Sequence, residues 1–67
     1  MKLEEATVGG SVRYVPTHAE GNVLHEDCEN GIVSSVTSKY VFVRYIRNGI
    51  LQVTPSATSP EDLIIWT

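Results

Sequence analysis

The run Gly31–Tyr45, Gly-Ile-Val-Ser-Ser-Val-Thr-Ser-Lys-Tyr-Val-Phe-Val-Arg-Tyr, constrains the fold more than any other stretch of this chain. It is dense in β-branched and aromatic residues, which suit a pleated, half-buried surface. Its one polar break, Ser38-Lys39, is short enough only for a tight reversal. The run therefore predicts a β-hairpin of Gly31–Thr37 and Tyr40–Ile46. With Ser38-Lys39 as the turn, Val36 pairs with Val41, Ser34 with Val43 and Ile32 with Tyr45 on one face. The other face then carries Val33, Ser35, Thr37, Tyr40, Phe42 and Arg44. Ser-Lys is not a favoured pair for a two-residue turn, and a one-residue slip would exchange the two faces.

The flanking sequence punctuates further strands. Residues 1–8 read as an acidic N-terminal arm, ended by Gly9-Gly10. Ser11–Val15 reads as a first strand, stopped at Pro16, which has no N–H for a ladder. Thr17–Asn30 is a long polar loop, and loops of this length are functional or tied down. Arg47-Asn48-Gly49 is a strong turn signal before a strand at Ile50–Thr54. Pro55–Pro60 reads as a loop. Ser59-Pro60-Glu61-Asp62 has the form of a cap with proline at the first helical position, and Leu63–Trp66 closes the chain as a fifth strand.

The chain has 67 residues, enough for one small core, and a lone cysteine, Cys28, so no internal disulfide can reinforce it. Closing five short strands into a bent barrel removes exposed edges without a second layer. The expected fold is all-β: a small five-stranded barrel over residues 9–67, with a long first loop and one helical turn before the last strand. That order resembles the SH3-like barrels, including the KOW and Tudor-type domains. The segments Gly10–Pro16, Gly31–Val36, Tyr40–Tyr45 and Ala57–Ile64 are also similar to a group of small, uncharacterised bacteriophage and prophage proteins. The resemblance implies a further cysteine in the loop that here reads Ala57-Thr58-Ser59-Pro60, so Thr58 is a departure from the pattern.

The candidate metal ligands are His18, His25 and Cys28. Zinc takes imidazole nitrogen and thiolate sulfur, and the spacing of His25 and Cys28 lets both turn toward one ion. Two histidines and one cysteine fall short of a complete zinc set. The plainer reading has surface histidines and Cys28 as a small core residue. A nucleophilic Cys28 is not expected, because Asp27 and Glu29 flank it and disfavour the thiolate. The chain is therefore read as a non-enzyme.

The candidate binding residues are Arg13, Tyr40, Phe42, Arg44 and Arg47, because five aromatic side chains cannot all enter so small a core. Aromatics beside arginine can grip a protein or stack bases. The plainer alternative is that Tyr14, Tyr45 and one face of Trp66 are core and that the N-terminal arm covers Phe42. Apolar residues on the face of Val33, Tyr40 and Phe42 further suggest a contact surface.

The formal net charge of −3 argues against general nucleic-acid binding, which needs cations on phosphates. The charged start Met1–Glu5 precedes no apolar signal segment, and no run is long enough to span a bilayer. The expected role is an interaction module of phage origin in the bacterial host cytoplasm. It would bind a host or phage protein through Tyr40, Phe42, Arg44 and the 17–30 loop. The alternatives are a nucleic-acid-binding barrel and a structural part of a virion or homo-oligomeric assembly, neither involving a membrane.

Overall fold

The computed structural model describes residues 1–66. The described residues form six strands: β1 (Ser11–Tyr14), β2 (Glu29–Val36), β3 (Val41–Arg47), β4 (Ile50–Leu51), β5 (Ser56–Thr58) and β6 (Leu63–Ile65). Three single 3₁₀ turns, Leu3–Glu5, Thr17–Ala19 and Pro60–Asp62, are the only helical elements among the described residues. None is long and apolar enough to cross a membrane. Every strand pairing is antiparallel. The order is β4-β3-β2-β1-β6, with β5 also on β3.

The barrel expected from the strand count is not closed. Closure would require a ladder between β5 and β6, and among the described residues the only partners of these strands are β3 and β1 respectively. They are consecutive strands joined through the Pro60–Asp62 turn, and that turn spans the gap in place of hydrogen bonds. The sheet also has six strands rather than five. The extra strand is β5, inside the segment read as the loop Pro55–Pro60. The expected strand at Ile50–Thr54 is correspondingly cut to two residues. The edge of β3 explains both differences: β4 takes Ile46 and Arg47, β5 takes Val41–Val43, and the chain leaves and rejoins that edge between them. Arg44 fills the interval, its Nε donating to Gln52 O at 2.9 Å.

The central hairpin forms as expected, but in another register. Val36 pairs with Val41, as expected, and Ser35 with Phe42. Ser34 is then skipped as a bulge, so Val33 pairs with Val43, Ile32 with Arg44 and Gly31 with Tyr45. One extra residue on one strand exchanges its two faces beyond that point. Val33 consequently enters the core, where it is 2% exposed, instead of sharing the outer face with Phe42. At the turn, neither Ser38 nor Lys39 has a positive φ, so the backbone does not adopt the usual primed hairpin turn. The Thr37 hydroxyl compensates by accepting from the Lys39 and Tyr40 N–H groups at 3.2 and 3.0 Å. Asn48 and Gly49, by contrast, have φ of 53° and 76° and form the primed turn that their sequence predicts.

The core is Val12, Val33, Val41, Val43, Tyr45 and Leu63. Full burial of such a side chain contributes about 1.5–3 kcal/mol. The arm is docked: Met1, Leu3 and Ala6 pack against the core, and the Met1 nitrogen donates to Pro60 O and Leu63 O at 2.8 and 2.7 Å. Gly31 is required by close approach. A Cβ there would collide with Val43 and lie 3.0 Å from Arg44 O and 3.1 Å from Tyr45 Cδ1.

Candidate binding face and loop cluster

Paired residues on neighbouring strands share a face of the sheet, and successive residues alternate. Along β3, Val41, Val43 and Tyr45 point inward and are buried, which leaves Phe42, Arg44 and Ile46 on the outer face. Ser35 and Ala57 flank Phe42 from β2 and β5. Ile32 flanks Arg44, with Ser11 beyond it on β1. Tyr40 stands at the end of the same row, 46% exposed. Arg13, from β1, shares this face opposite Asn30 and Ile64.

Four of the five candidate binding residues, Arg13, Tyr40, Phe42 and Arg44, thus lie on one face. Arg47 does not. It turns toward the Tyr45 side, its Nε donating to Glu29 Oε1 at 2.7 Å and its guanidinium 5.8 Å from the Tyr45 ring. The Glu29 carboxylate holds the Arg47 guanidinium above its ordinary value, mainly through that hydrogen bond. Together with Tyr14, Thr58 and Asp62 these residues line a shallow cleft of about 270 Å³, at the lower margin of ligand pockets.

The two ends of the outer face differ. At the β1–β6 end, Arg13 lies 4.9 Å from the Trp66 ring and donates to Val23 O at 2.7 Å and to Asn30 Oδ1. These bonds anchor the 17–28 segment beside β1. At the β3–β5 end, Tyr40 and Ala57 are exposed and Phe42 and Arg44 are half-buried, and among the described residues the only hydrogen bond of the Arg44 guanidinium runs from Nε to Gln52 O. Ile32 and Ala57 were not among the expected binding residues. The bulge at Ser34 is the reason for Ile32, since it exchanges Ile32 and Val33 between faces.

The 17–28 segment is a succession of tight turns, closed by Asn22 N to Ala19 O (2.9 Å), His25 N to Asn22 O (3.1 Å) and Cys28 N to His25 O (3.0 Å). They bring His18, His25 and Asp27 together, with one potential ligand atom from each inside a 4.8 Å span. The His18 Nε2–H donates to Asp27 Oδ2 at 2.6 Å. The Asp27 N–H donates to His25 Nδ1 at 3.0 Å, and the two imidazoles meet edge to face at 5.3 Å. Cys28, expected as a ligand beside His25, lies outside this group. Its half-buried Sγ donates to Asn22 O at 3.5 Å. Thr58 is also remote from the cluster, its hydroxyl 2.6 Å from that of Tyr45 in the core.

No protein-family model, curated protein or solved structure matches this chain.

Proposed function

We propose that the chain is a non-enzymatic protein-interaction module of the SH3-like kind that contacts its partner through the outer face of β2, β3 and β5. One observation carries this reading: Ile32, Tyr40, Phe42, Arg44 and Ala57 gather on a sheet face with an apolar floor and a cationic edge. Antiparallel sheets set polar residues on their solvated side, so an aromatic and aliphatic strip there points to a protein contact. Arg44 suits a partner that presents apolar side chains beside a carboxylate. The strand order, the long first loop and the 3₁₀ turn before the last strand support the SH3-like description, and the segments resembling phage proteins support a phage origin.

The nucleic-acid reading has less support. Arg13 and Arg47 are engaged within the chain by Trp66, Val23, Asn30, Glu29 and Tyr45. Eight acidic residues oppose five basic ones. An enzymatic role through Cys28 also lacks support, because its only hydrogen bond through Sγ among the described residues goes to a backbone carbonyl rather than to an imidazole base.

The test is affinity capture from a lysate of the source cells with wild-type chain, Phe42→Ser and Val53→Ser. Phe42 is on the proposed face, whereas Val53 is 83% exposed on the connection between β4 and β5. Loss of a captured protein with Phe42→Ser but not Val53→Ser supports the reading. Identical capture by all three, or partner release by moderate salt alone as for nucleic acid, overturns it.

A further inference from the structure

We infer that His18, His25 and Asp27 form a divalent transition-metal site, with zinc as the ion its donors suit best. The donors are two imidazoles and one carboxylate, all within the ligand set of zinc. Their spatial arrangement, more than their sequence spacing, carries the inference. Neighbouring ligand atoms around a tetrahedral zinc lie about 3.3 Å apart when the bonds are about 2.0–2.1 Å. Here Asp27 Oδ2 is 2.6 Å from His18 Nε2 and 4.0 Å from His25 Nδ1. Both separations reach the tetrahedral value by shifts of about 0.7 Å. The ion takes the place of the proton shared by His18 and Asp27, and His25 Nδ1 exchanges the Asp27 N–H for the metal.

The backbone prepares this arrangement. The turns at Ala19–Asn22, Asn22–His25 and His25–Cys28 hold the segment in shape. The Asn22 side chain adds a bond from the Leu24 N–H at 3.0 Å. Arg13 ties Val23 to β1. The ligands thus stand on a segment already fixed at its middle and at both ends. Their exposure lets the ion enter without unfolding the chain: the His18 and Asp27 side chains are 62% and 55% exposed. Three protein ligands leave a fourth position for water. The Cys28 thiol takes no part, since it is turned to the Asn22 carbonyl. Binding of the ion clips Thr17–Ala19 to Asp27 across the loop, so binding energy becomes loop stability.

The test is isothermal titration of the untagged, chelator-stripped chain with zinc chloride, repeated on His18→Asn, Asp27→Asn and Cys28→Ser. The expected result is one zinc per chain, at least tenfold weaker binding in His18→Asn and in Asp27→Asn, and unchanged binding in Cys28→Ser. Cobalt(II) provides an independent readout: a tetrahedral visible spectrum without a thiolate charge-transfer band in the near ultraviolet. Absence of saturable zinc binding overturns the inference. So does loss of binding in Cys28→Ser with retention in Asp27→Asn, or a thiolate band with cobalt. Far-ultraviolet circular dichroism of each variant separates loss of the site from loss of the fold.

Discussion

The Tyr45 and Thr58 hydroxyls lie 2.6 Å apart, both buried beneath the cleft beside Glu29 and Arg47, and join β3 to β5 by a side-chain bond. A buried hydroxyl without a partner loses more than the bond itself contributes. Tyr45→Phe is therefore expected to lower the unfolding free energy by about 1–2 kcal/mol. Thr58→Val in the same background should cost less than it does alone. Urea unfolding of both single variants and the double variant measures the coupling, and purely additive losses would show that the pair does not act as one unit.

The same tyrosine gives the fold an alkaline limit. Burial holds the Tyr45 phenol above the ordinary tyrosine value, and the Thr58 bond draws it only partly back. Below the unfolded value, near pH 10, both states keep the proton and the contribution to stability is complete. As the pH rises through the folded value, the unfolded chain has already ionised and the contribution is lost. Urea midpoints should hold steady from about pH 8 to about pH 10 and fall above it, with a shallower fall in Tyr45→Phe. Parallel curves for the two proteins would contradict this assignment.

Val33 opposite Val43 sets a register that substitution can read. Both are fully buried, and Val33→Ala or Val43→Ala should each cost about 1–3 kcal/mol through lost contact and a residual cavity. Ile32→Ala removes a larger side chain from the outer face and should cost less than Val33→Ala. Thermal unfolding of the three variants decides the matter, because an unbulged pairing of β2 with β3 would reverse the order of Ile32 and Val33.

Gly31 should accept no side chain. Its Cβ position is blocked by Val43, by the Arg44 carbonyl and by the Tyr45 ring, so Gly31→Ala forces the hairpin apart at a cost of about 1–3 kcal/mol. A midpoint within error of wild type in urea would show that β2 and β3 separate there more readily than their geometry implies.

The sequence was most legible where local chemistry decides structure. Asn48-Gly49 forms the primed turn that only such residues favour, Pro60 opens a 3₁₀ turn after Ser59, and Gly31–Tyr45 folds as a hairpin. It was least legible where one tertiary choice moves many residues. The bulge at Ser34 has no signal of its own, since Ser34 and Ser35 suit either face, yet it exchanges Val33 and Ile32. β5 was hidden because Ser56-Ala57-Thr58 has little strand propensity and forms a strand only where the edge of β3 is free. In the loop, His18 and His25 were readable as ligand types. Asp27 instead of Cys28 follows from the turn at His25–Cys28, which points the thiol toward Asn22.

The central claim is that the outer face around Phe42 meets another protein. The most direct measurement replaces Phe42, Ile32 or Val53 in turn with a photoreactive phenylalanine analogue and irradiates each variant in a lysate of the source cells. The account predicts one cross-linked partner, common to positions 42 and 32 and absent from position 53. No cross-link at position 42, or the same product from position 53, would contradict it.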